Sequence, residues 1–132
     1  MSRRCPCGHK LDFSACCGPY LSGAADPPTA AALMRSRYTA YLEGNVDYLI
    51  TTTAPESRAS LDREALRTYC STLRGVSLKI TETTRGGPRD DTGFVSFEAT
   101  LKSNNKKFVQ RERSRFAREH GRWVYVDGDL AA

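Results

Sequence analysis

Between positions 30 and 42 the apolar residues recur at helical spacing. Leu33, Met34, Tyr38, Tyr41 and Leu42 share one stripe, while Arg35 and Glu43 fall elsewhere. Thr29 can cap this helix and Gly44 ends it. Asn45 is placed to cap a second, shorter helix over 46–50. Ala54-Pro55-Glu56-Ser57 breaks the pattern. Asp62 or Ser60 can then cap a third helix over 63–72, with Leu66, Tyr69, Cys70 and Leu73 as its apolar positions. From Gly75 the period changes to two, and Val76, Leu78 and Ile80 alternate with Ser77, Lys79 and Thr81 as in a half-buried strand. A second strand runs over 94–102 with Val95, Phe97, Ala99 and Leu101 on one face. A third covers 107–118 and a last one 122–126. Ser103-Asn104-Asn105-Lys106 and His120-Gly121 read as tight turns, and 85–91 as a polar loop long enough to be mobile. Three helices followed by an antiparallel meander make an α+β domain.

The 132 residues suffice for one core, and 39% hydrophobic with 27% charged residues describes a globular, soluble chain. No apolar run approaches membrane-spanning length, and no secretory leader precedes the first cysteine, so a reducing cytoplasm is the expected home. The formal charge of +5 is mildly basic and is no signature of nucleic-acid binding.

Ahead of the first helix, the chain concentrates its chemistry. Cys5-Pro6-Cys7-Gly8 is followed at once by His9-Lys10-Leu11-Asp12-Phe13-Ser14-Ala15 and then Cys16-Cys17. Four of the five cysteines thus fall within a short stretch, in two close pairs joined by a loop that can swing back. Such an arrangement suits a soft tetrahedral cation, with zinc the default, and four protein ligands make a closed, structural site. Disulfides are disfavoured because adjacent Cys16 and Cys17 can pair with each other, or with the other two, only under strain. A thiol redox role is the alternative. Gly8 permits the tight turn, and Pro6 stiffens the first arm. Residues 18–28, rich in Gly, Pro and Ala, read as a loop between a metal module over 1–24 and a domain over 25–132. Lone Cys70 reads as a buried, inert thiol.

The cysteine pattern, with Phe13 in its loop and Gly18 after it, resembles a SEC-C motif, the small zinc-binding module at the C-terminus of the SecA translocation ATPase. Ala32-Leu33-Met34-Arg35-Ser36-Arg37-Tyr38, Glu112-Arg113-Ser114-Arg115-Phe116, Gly121-Arg122-Trp123 and Asp127-Gly128 are similar to the bacterial YchJ family. That resemblance implies a SEC-C motif joined to a nuclear-transport-factor-two-like (cystatin-like) domain. In this fold a curved antiparallel sheet wraps around helices and often encloses a conical pocket. The loop here holds a single lysine, Lys10, where SEC-C loops are often rich in Gly and Lys.

Two further groupings lie on the third strand. Positive charge is concentrated over 102–122, where Arg111, Arg113 and Arg115 project from one face. They form either a row for RNA phosphates or a solvated face with cross-strand ion pairs, for example to Glu98 or Glu82. On the opposite face Phe108 and Phe116 bracket Gln110, Glu112 and Ser114. An inward carboxylate is costly without a partner, and Arg35 or Arg37 is the expected one. With Tyr38 and Trp123 these residues outline a polar-floored pocket. No catalytic triad or phosphate loop is suggested, His9 and His120 fall in turns, and only Glu112 or Asp47 is a candidate acid or base. The resulting expectation is a bacterial zinc-binding adaptor with a protein partner, RNA or ribosome contact being an alternative and a pocket-binding protein the rival.

Overall fold

The computed structural model describes residues 3–130. Its helices are α1 (Gly18–Ser22), α2 (Ala30–Glu43), α3 (Val46–Thr51), α4 (Pro55–Arg58) and α5 (Arg63–Thr72). Four strands follow, β1 (Leu73–Arg85), β2 (Thr92–Ser103), β3 (Lys106–Glu119) and β4 (Arg122–Leu130), each antiparallel to the next in the order β1-β2-β3-β4. Helices α2, α3 and α5 form where caps and periodicity place them. Thr29 Oγ1 accepts from Ala32 N, Asn45 Oδ1 from Tyr48 N, and Asp62 Oδ1 from Ala65 N. Gly44 closes α2 in the left-handed conformation. Asn104 with Asn105, and His120 with Gly121, hold positive φ at both central positions of two hairpins.

The structure departs from the sequence pattern in several places, among them a short helix over 55–58 and a last strand that runs on to Leu130. Residues 18–22 are helical, not loop, with Pro19 in the first turn and Gly23 as a left-handed stop. Val76 does not join the inner face of β1, because a bulge between Gly75 and Ser77 shifts the register and leaves Val76 49% exposed. Tyr69 is exposed on α5, which buries only Cys70 fully. The loop after β1 is clasped, since Arg118 donates to the carbonyls of Asp90 and Pro88 at 2.8 Å while Asp90 Oδ2 takes the Gly87 amide. That clasp comes from one side chain about thirty positions away, which no local reading can supply.

Helix α2 is the centre of the molecule. It packs on β1, β2 and β4 and also meets α1, α3 and α5. Leu33, Met34 and Tyr38 are buried as the stripe requires, but so are Ala30, Ser36, Arg37, Thr39 and Ala40. A helix covered on nearly every side must satisfy its buried polar groups internally. Ser36 Oγ pairs with the Tyr48 hydroxyl at 2.6 Å, and Arg37 donates to Leu49 O, Thr52 Oγ1 and Thr53 Oγ1. Leu33, Val95, Phe97, Ala99, Leu101, Phe116 and Trp123 form the contact between helix and sheet. The Trp123 indole donates to Pro28 O, which ties the approach to α2 onto β4. Beyond β4, Tyr125 exchanges backbone hydrogen bonds with Thr52 and Ala54, so that sheet edge is partly covered.

Because Leu33 is fully buried at this contact, Leu33→Ala is expected to cost about 2–5 kcal/mol in urea unfolding. A loss under about 1 kcal/mol would mean that α2 is not packed as described.

Candidate metal centre

Local backbone geometry brings the cysteines together. Arg4 and Asp12 form an antiparallel bridge, the Cys5 amide donates to Leu11 O, and the Phe13 amide donates to Arg3 O. Within that small hairpin Gly8 turns at φ 84°, a conformation that glycine adopts without strain, and its amide returns to Cys5 O. The short 3-10 turn Phe13–Ala15 and then α1 carry Cys16 and Cys17 back against the first pair. Arg3 lies over the Phe13 ring at 4.1 Å and pairs with Glu43 at the end of α2.

All four Sγ atoms lie within 4.8 Å of one another. Cys7 Sγ is 3.6 Å from Cys16 Sγ, and Cys16 Sγ is 4.0 Å from Cys17 Sγ. A tetrahedron of thiolates with metal–sulfur bonds of about 2.3 Å has edges of about 3.8 Å, so the spacing fits a single tetrahedral ion. All five cysteines of the chain are free thiols. Cys5, Cys7 and Cys17 are buried, and Cys16 is half-buried at the outer side. His9 stands outside the set, with Nδ1 3.8 Å from Cys16 Sγ.

The tetrad is embedded in the domain. Its buried members belong to the same core as Leu33, Met34 and Tyr38. From α2, the fully buried Thr39 hydroxyl reaches Cys17 Sγ at 3.4 Å and lies 3.9 Å from Cys5 Sγ. Arg35 Nη1 donates to Cys7 O at 3.2 Å. Crowding separates the thiols electrostatically. The hydrogen bond with Cys17 is the main cause that pulls Cys7 down to about 4, against the opposing effect of burial. Cys17 is pushed up by that same hydrogen bond and by burial, and Cys16 is pushed up to about 12, first by burial and then by Cys7. A cluster that readily holds one negative charge and resists more is one that a divalent cation would complete.

The residues expected to share a pocket are dispersed. Arg35 serves the cysteine hairpin and lines a cleft of about 260 Å³ with His9, Leu11, Cys16 and Thr29. Arg37 is buried and bound to the α3 end, with its guanidinium 4.7 Å from the Tyr125 ring centroid. Neither arginine is the partner of Glu112, which corrects that expectation. The carboxylate instead accepts from Gln110 Nε2, Ser114 Oγ and the Tyr125 hydroxyl. Tyr38 lies with its hydroxyl against Gly75 of β1. Trp123 alone of the five lines the larger cleft, about 600 Å³, beside Tyr20, Asp26, Asn45, Tyr48 and Arg58. Asp47 lies on its rim and pairs with Arg63. On the outer face of β3, Arg111 pairs with Glu98 at 2.9 Å, Arg115 with Asp127 at 2.8 Å, and Arg113 lies over the Phe94 ring at 3.8 Å. The arginine row is therefore engaged within the sheet. Reading the sequence alone missed Thr39 and Tyr125, because a threonine in a helix and a tyrosine in a strand carry no local sign of what they face.

Comparison with known proteins agrees with this geometry. A family model described as YchJ, middle NTF2-like domain, matches residues 29–128. A UPF0225 protein of Pectobacterium carotovorum is 44% identical over 97% of this chain and 84% of its own length. A UPF0225 protein of Corynebacterium glutamicum is 45% identical over 98% of this chain and 99% of its own. The solution structure of a SEC-C motif containing protein from Rhodopseudomonas palustris superposes with a TM-score of 0.88, at 30% identity, over 98% of this chain and all of the other. A SEC-C motif containing protein from Psychrobacter arcticus shares the fold, with a TM-score of 0.82 at 23% identity over 98% of this chain and 84% of its own. With the NTF2-like model covering most of its length behind a SEC-C-like cysteine tetrad, this chain belongs to the YchJ-like family.

Proposed function

We propose that Cys5, Cys7, Cys16 and Cys17 hold one structural zinc ion, and that the protein is an adaptor which presents the zinc-stapled hairpin to a protein partner. The observation that carries the metal is the mutual approach of four free sulfurs to within 4.8 Å of one another. Four sulfur ligands leave no open position for substrate, so the ion would staple and not catalyse. In this reading residues 1–24 are the stapled unit and 25–132 the domain that it caps. Clustered thiols kept as metal ligands suit the reducing cytoplasm of a bacterium. The adaptor role is supported by what the hairpin leaves outside. His9, Lys10 and Leu11 are exposed at its tip, and Leu11 keeps 44% of its surface in solvent where it lines the smaller cleft.

Four outcomes are expected. Native mass spectrometry of reduced protein should show one zinc per chain, lost to a strong chelator. Calorimetric titration in buffers of different ionisation enthalpy should show protons released from Cys16 and Cys17, with affinity rising as pH rises. Binding with no proton release would remove those thiols from the ligand set. Thr39→Val keeps the shape and deletes the donor to Cys17 Sγ, so zinc affinity in a dye competition should fall by about tenfold or more while Thr39→Ser retains it. Equal affinity in all three proteins would reduce Thr39 to packing. Finally, Lys10→Glu with Leu11→Asp should leave zinc content and thermal midpoint unchanged but abolish stable complexes seen by crosslinking in cells. Complexes that survive the double variant intact would move the docking face elsewhere.

A further inference from the structure

The alternation of β3 sends Gln110, Glu112 and Ser114 to the inner side of the sheet, between Phe108 and Phe116. Core strands carry aliphatic residues at such positions, so three consecutive polar residues there need a reason. Glu112 is where they converge. Its Oε2 accepts from Gln110 Nε2 at 2.7 Å, and its Oε1 accepts from Ser114 Oγ at 3.2 Å and from the Tyr125 hydroxyl at 3.1 Å. Gly128 faces this group across the β3–β4 pair, and a methyl there would overlap the carboxylate. The carboxylate therefore lies in a cradle made of three donors and one absent side chain.

All three donors are neutral. They fix the direction of the carboxylate and leave its charge in place. Among the described residues Glu112 takes part in no ion pair. That contrasts with the outer face of the same strand, where Arg111 and Arg115 both meet carboxylates. Arg37 stands over the Tyr125 ring and is committed to Leu49 O, Thr52 Oγ1 and Thr53 Oγ1. Burial, and then the Glu112 charge, push the Tyr125 hydroxyl upward, which keeps it a proton donor to the carboxylate. A carboxylate offers about four lone-pair positions, so one on Oε2 is still open. Glu112 itself is half-buried, and solvent can reach it.

We propose that Glu112, oriented by Gln110, Ser114 and Tyr125, anchors a second binding site on the inner face of the sheet, for the ammonium or guanidinium group of a small organic cation. The cation would take the open position of Oε2, with the half-buried ring of Tyr125 beside its alkyl stem. This site is separate from the cysteine hairpin and does not depend on the adaptor reading.

The test uses isotopically labelled, zinc-loaded protein in NMR titrations with n-butylguanidinium and n-butylammonium, with butanoate as the anionic control. Saturable shifts of the Glu112 carboxyl carbon and of amides over 110–114 and 125–128, for a cation and not for butanoate, are expected. Glu112→Gln should weaken that binding by about tenfold or more. Gly128→Ala, which displaces the carboxylate, should weaken it as well. An unresponsive carboxyl carbon in the wild-type protein, equal shifts with butanoate, or undiminished binding in Glu112→Gln would each overturn the proposal. The wild-type carboxyl signal decides the matter even if neither variant folds.

Discussion

The seam between the cysteine hairpin and helix α2 is the contact on which the rest of the molecule depends. A stretch as short as 1–24 and of this composition has too little apolar surface to hold a shape of its own. Here it gains one by laying Cys5, Cys7 and Cys17 on the helix, where the Thr39 hydroxyl meets sulfur and Arg35 takes the Cys7 carbonyl. The helix gains in turn, since the hairpin covers a side that the sheet cannot reach. The sulfur cluster and the hydrophobic core are therefore packed together, and a metal bound by the first would add its binding free energy to the stability of the second.

That arrangement accounts for the unusual burial of polar residues along α2. Ser36, Arg37 and Thr39 each face a different neighbour: Tyr48 on α3, the α3 end with Tyr125, and the sulfur cluster. A buried hydroxyl or guanidinium without partners would cost more than one apolar contact returns, so each is matched. The matching fixes the rotation of α2 about its own axis more strictly than an aliphatic stripe would, because hydrogen bonds tolerate less sliding. Tyr125 extends the set to the inner face of the sheet, with Arg37 over its ring and its hydroxyl on Glu112. Helix, sheet and carboxylate are thereby held in one register.

Charge is distributed by the same logic. Arginines on the outer face of β3 find acidic partners on β2 and β4, and such exposed pairs contribute roughly 0–1 kcal/mol each. They compensate two of the arginines in a stretch where positive charge is concentrated, while Arg113 lies over the Phe94 ring. On the inner face of β3, Glu112 accepts only from neutral donors. The two faces of one strand thus differ in chemistry, although their residues alternate one by one.

Local order was legible from the sequence because it depends on neighbours in the chain. The caps Thr29, Asn45 and Asp62, the paired asparagines of the first hairpin, the inward row Val95, Phe97, Ala99 and Leu101, and the cysteine spacing all act over a few positions. The inward direction of Glu112 was legible for the same reason, since strand alternation fixes it. Its partners were not. Proximity in helical numbering suggested Arg35 or Arg37, but the rotation of α2 sends one to the hairpin and the other to α3. The bulge that expels Val76, the clasp of Arg118 on the 86–91 loop and the contact of Thr39 with sulfur likewise join positions distant in sequence. Sequence by itself determined the elements, their order and the tetrad of thiols. Only the tertiary structure decided which buried polar group answers which, because that depends on how the elements turn toward one another.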